Sequence, residues 1–150
     1  MEPRSWDAGA LVGYANEFAG ANLFFLKTLF KNIFVPIYDF DVRVCLCDSI
    51  RVAVNDYNLH DEKHYNFVVE GEAFDPVGLW ITKTRRGLLM FQRDHLSHGL
   101  IAHELRHAVD GIFEWREIKP SVCHETPALL HEFLAVQIYS CLTRWNATIK

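Results

Sequence analysis

One five-residue run constrains this chain more than any other: His103-Glu104-Leu105-Arg106-His107. Residues four apart lie one turn apart on the same face of an α-helix. A helix here would aim both imidazoles at one point, and Glu104 would leave it roughly 100° round from His103. The flanking sequence supports a helix. Leu100, Ile101, Leu105, Ala108 and Val109 recur with helical period. Asp94 or Ser97 is suited to cap its start, and Gly111 to end it.

Residue types and spacing together predict chemistry. Two neutral nitrogens are borderline-soft ligands suited to zinc, and a carboxylate beside them can take a proton from water. His103 and His107 are therefore the expected metal ligands and Glu104 the expected general base. The competing explanation is a pair of histidines on an ordinary amphipathic helix.

The remaining sequence bounds the class. At 150 residues the chain has the length of one domain, 1–150, with a real core. A formal net charge of −4 gives no electrostatic reason to expect nucleic acid. The four cysteines, Cys45, Cys47, Cys123 and Cys141, form neither a C-x-x-C pair nor a disulfide framework. They fit a reducing, cytoplasmic setting. Met1-Glu2-Pro3-Arg4 does not open a secretory signal.

The most apolar stretch, Phe18 to Tyr38, is interrupted by Asn22, Lys27, Lys31 and Asn32. Phe18, Phe25, Leu29 and Ile33 make a helical stripe, which predicts a buried amphipathic helix ending before Pro36 and no membrane span. Alternation then predicts strands at Val42-Val44-Leu46 and at Ile50-Val52-Val54. A charged loop from Asn55 to Lys63 and a short strand at Phe67-Val68-Val69 follow. Asp75-Pro76-Val77-Gly78 reads as a turn. Leu79 to Thr82 and Leu88 to Phe91 read as the arms of a hairpin with a basic tip, Lys83-Thr84-Arg85-Arg86-Gly87.

The expected fold is thus α+β: an N-terminal helix, a small mainly antiparallel sheet, the H-E-x-x-H helix and a C-terminal helix. Motif and element order together resemble the zincin metallopeptidases. That resemblance implies a zinc-dependent peptidase acting on peptide or protein substrates. It also implies a substrate cleft lined by the strand before the metal helix, here Leu88 to Phe91. The metzincin variant is excluded, because Phe113 stands where its third histidine belongs.

The gluzincin variant takes a glutamate from the next helix as third ligand. Two residues match. Glu125 lies eighteen residues after His107 and opens Glu125-Thr126-Pro127-Ala128; Glu132 opens Glu132-Phe133-Leu134-Ala135. Glu125 has the better separation, and its E-x-P-A segment resembles short phage-encoded H-E-x-x-H proteins. Neither has the acidic residue that this family usually carries four positions later; Leu129 and Val136 stand there. His124, His131 and Tyr139 are further candidates, as oxyanion donors or, for the histidines, as alternative ligands. Asp110 is placed to orient a histidine. The competing functional expectation is a non-catalytic zincin scaffold, a binding or structural protein of a viral or phage assembly.

Overall fold

The structure is a computed structural model and describes residues 28–60, 66–70, 75–119 and 125–150. Its frame is a four-stranded mixed sheet: β1 (Leu29–Val35), β2 (Phe40–Cys47), β3 (Gly78–Lys83) and β4 (Arg86–Gln92), in the order β1-β2-β4-β3. β1 and β2 pair antiparallel, as do β3 and β4; β2 and β4 are parallel neighbours. The helices are α1 (Ile50–His60), α2 (His98–Trp115) and α3 (Glu125–Arg144). The architecture is α+β as expected, and its sheet is mainly antiparallel.

Alternation along β2 and β4 sorts side chains onto two faces. Phe40, Val42, Val44 and Leu46, with Leu89 and Phe91, join Ile101, Leu105, Ala108 and Ile112 of α2 and Leu134 and Ile138 of α3 in one core. Cys45, Cys47, Leu88 and Met90 face the other way and join Ile50, Ala53, Val54 and Tyr57 of α1. The sheet is thus covered on both sides, with α2 and α3 sharing one.

Two stretches depart from their sequence periodicity. The expected N-terminal helix does not reach its Pro36 boundary: residues 29–35 form β1, while residues 18–27 lie outside the described residues. The strand splits the apparent helical stripe. Ile33 and Val35 are buried, whereas Phe34 between them is 51% exposed. Full pairing with β2 down to Val35 opposite Phe40, helped by Asn32 accepting from Arg43 Nε at 2.7 Å, outweighs that stripe.

The Ile50-Val52-Val54 alternation is a coincidence of a helical pattern. Ile50, Ala53, Val54 and Tyr57 are buried at i, i+3, i+4 and i+7, and Val52 is 41% exposed. Ser49 nucleates α1 by accepting from Val52 N–H through its hydroxyl. The expected loop from Asn55 is helix as far as His60. Phe67-Val68-Val69 is not a strand. Asn58 takes the place of one, its amide pairing with both backbone N–H and C=O of Phe67.

The hairpin is present, with Lys83 opposite Arg86 and a two-residue tip, Thr84-Arg85. Its basic charge is answered within the chain: Arg85 pairs with Asp39 at 3.1 Å, and Lys83 Nζ donates to Asn66 C=O. None of the described helices is long and apolar enough to cross a membrane.

Candidate metal and catalytic site

Ser97 caps α2, its hydroxyl accepting from Leu100 N–H at 3.1 Å. The helix does not stop at Gly111 but continues to Trp115. Burial of Ile112 and Phe113 outweighs the cost of about 1 kcal/mol for a helical glycine. The reversal comes at Glu117, in the left-handed region at φ 54°, and Ile118 N–H closes on Phe113 C=O at 2.9 Å.

On this helix the three motif residues divide by face. His103 and His107 are exposed, and their Nε2 atoms stand 3.2 Å apart with rings nearly perpendicular at 82°. Two nitrogens bound to one tetrahedral zinc ion at about 2.0–2.1 Å lie roughly 3.3–3.4 Å from each other. The separation is near that spacing, and it is equally that of a direct hydrogen bond between the two ring nitrogens.

Glu104 turns inward. At 6% exposure it is the one buried charged residue among those described. Burial pushes its carboxyl pKa up, and the imidazoles of His103 and His107 draw it back down when charged. The carboxylate is close enough to both imidazoles to feel their charge, and it packs inward against β3 rather than on their exposed face.

Glu104 is sheltered by β3. A Cβ at Gly78 would lie 2.7 Å from Glu104 Oε1 and 2.7 Å from Leu100 Cδ1. Two residues on, Trp80 reaches the same helix at Gly111, where a Cβ would lie 2.5 Å from the indole Nε1. The other side of the Trp80 ring rests on Gly87 of β4. Its indole N–H is buried and finds no hydrogen-bond partner among the described residues.

The strand beside the site also differs from expectation. Leu88 to Phe91 lies in β4, whose backbone pairs with β2 on one side and β3 on the other. Its N–H and C=O groups are committed to the sheet, so it has no edge to offer an extended peptide. The outer strand on this side, among the described residues, is β3.

The remaining candidates are scattered. Glu125 opens α3, Glu132 lies two turns along it, and both are exposed. Among the described residues no group of three His, Cys, Asp or Glu side chains is arranged to hold an ion, so neither glutamate completes the histidine pair here. His131 is half-buried on α3, and His124 lies outside the described residues.

Tyr139 is engaged elsewhere. Its hydroxyl meets His98 Nδ1 at 2.8 Å, at the first residue of α2, roughly 13 Å along the axis from His107. Asp110 accepts from Arg106 Nε at 2.9 Å, and so is held by an arginine rather than by a histidine.

Comparison with protein-family models, with curated proteins and with solved structures finds no match.

The candidate site thus gathers His103, His107 and Glu104 on α2, with Gly78 and Leu100 around the carboxylate. Sequence reasoning missed Gly78, which it placed in a turn. A glycine at the mouth of a strand is itself a signal, because it marks close backbone approach. Nothing local announced that its neighbour would be Glu104.

Proposed function

We propose that this chain is a zinc-dependent metallopeptidase of zincin, gluzincin-like type, resembling short phage-encoded H-E-x-x-H proteins and working in a reducing cytoplasm. The observation that carries the proposal is the convergence of His103 and His107 Nε2 at 3.2 Å with Glu104 buried one residue away. Glu125 is the proposed third ligand, for its separation from His107, with Glu132 as the alternative.

The chemistry that zinc supplies when bound is Lewis-acid polarisation of the scissile carbonyl and a lowered pKa for water. The chain's own residues do the rest. His103 and His107 present neutral nitrogens from one helix face. Glu104 accepts the proton of the attacking water at its carboxylate and passes it to the leaving amine. Its inward packing against Gly78 and Leu100 fixes where that carboxylate sits. The outer edge of β3 supplies backbone groups on which an extended peptide can lie antiparallel or parallel to the strand.

A second reading is favoured by the outward face of α3, where Leu129, Phe133 and Val136 are exposed at helical spacing. Under it the same scaffold binds a protein partner, as in a viral or phage assembly, and cleaves nothing. Zinc content and peptide hydrolysis of the wild type beside Glu104→Gln separate the two. The peptidase holds zinc in both forms and loses hydrolysis in the variant. A wild type that holds zinc yet cleaves no member of a broad peptide library supports the scaffold.

A further inference from the structure

We propose that Gly78 is a positioning residue for Glu104: its missing side chain is the space that the carboxylate occupies between β3 and α2. The assignment rests on the reading of Glu104 as the base. A Cβ at Gly78 would come within 2.7 Å of Glu104 Oε1, 2.8 Å of Glu104 Cγ and 2.7 Å of Leu100 Cδ1. All three distances are shorter than carbon makes with unbonded atoms, so one methyl group and the present Glu104 rotamer exclude each other.

The neighbourhood cannot relax by letting the strand drift away. Trp80, on the same face of β3 as Gly78, is wedged against Gly111 of α2 and Gly87 of β4. The two contacts are separated by two residues of β3, roughly 7 Å, and by seven residues of α2, roughly 10 Å. They brace strand and helix at two points, one at Glu104 and one beyond His107. β3 also carries six pairs to β4, from Gly78 opposite Phe91 to Lys83 opposite Arg86, which fix its height on the sheet. The cheaper response to a methyl group at residue 78 is therefore rotation of Glu104 about its own bonds. That rotation moves the carboxylate and leaves the two histidines in place, because they project from the exposed side of α2.

Gly78 is a clean site for the test. Its φ lies outside the left-handed region, so alanine adds sterics without backbone strain. The methyl group would point at α2 and not along the sheet from the outer edge of β3, so it should leave peptide binding alone. In Gly78→Ala we expect zinc content and KM near wild type and kcat lower by ~100-fold, the scale of a base misplaced by about 1 Å.

A second readout needs no activity. Thermal stability is measured for wild type, Gly78→Ala, Glu104→Ala and the double variant. Glu104→Ala removes two of the three atoms that the new methyl group meets, so most of the Tm loss caused by Gly78→Ala should disappear in that background. Equal Tm losses in the two backgrounds overturn the assignment, as does an unchanged kcat in an active enzyme. If Gly78→Ala does not fold, a double variant that does fold supports the assignment, and failure of both overturns it. An inactive wild type would defeat the hydrolase reading alone, and the stability cycle would still decide whether Gly78 sets the place of Glu104.

Discussion

The two faces of the sheet each bury an ionisable group, and they do so to different effect. On the α1 face Cys45 is fully enclosed, beside Cys47 and beneath Ile50 and Val54. Burial pushes its thiol well up, and the neighbouring Cys47 thiol adds to the rise. On the α2 face Glu104 is also buried and also pushed up, but it lies one residue from His103 and three from His107, both exposed imidazoles. A perturbed pKa alone does not make a site. Cys45 stays a protonated side chain in an apolar core, out of reach of solvent. Glu104 is itself a proton donor or acceptor, near enough to two solvent-facing imidazoles to feel their charge.

That contrast breaks first at Glu104. The amide of Glu104→Gln keeps the shape and cannot take the water's proton. Peptide hydrolysis should fall by at least ~100-fold, the usual scale of general-base catalysis, with zinc retained. A variant as active as wild type would place the base elsewhere. The corresponding change on the opposite face, Cys45→Ser, should leave kcat and KM alone. It puts a hydroxyl in an apolar core and should lower unfolding free energy by ~1–3 kcal/mol in denaturant melts. A larger effect on turnover than on stability would mean that the two faces are not separate.

The smallest effect sharpens the comparison through pH. The folded-state pKa of Glu104 is raised, so the folded metal-free protein holds a proton that the unfolded chain releases. Stability from this group is full below the unfolded carboxyl pKa and falls as pH rises through the folded one. Glu104→Gln removes that penalty. The metal-free variant should melt higher than metal-free wild type near pH 7, and the gap should close as pH drops to about 4, near the ordinary carboxyl pKa. A gap independent of pH would assign the difference to packing. This is the stability a site gives up to keep a buried base.

Legibility from sequence followed the same division. α2 was readable because period, cap and motif agreed: Ser97 before the helix, Leu105 and Ala108 inside, His103 and His107 together on the outside. The β3–β4 hairpin was readable from its two apolar arms. β1 and α1 were misread because short apolar runs satisfy both periods. Ile50-Val52-Val54 alternates like a strand, and only the contacts of Ala53 and Tyr57 show which period is used. The interior place of β4 was hidden because strand order depends on the parallel pairing with β2, which joins residues more than forty apart. The shelter of Glu104 by Gly78 is non-local in the same way.

The proposed zinc peptidase requires one metal ion shared by His103 and His107, and metal analysis tests that most directly. Purified wild-type protein and the His103→Ala/His107→Ala variant are dialysed against the same buffered zinc and analysed for bound metal. A shared ion predicts one zinc per wild-type chain and none above background in the variant, with both proteins folded by circular dichroism. Equal zinc in the two, or a wild type that takes up none, would contradict it.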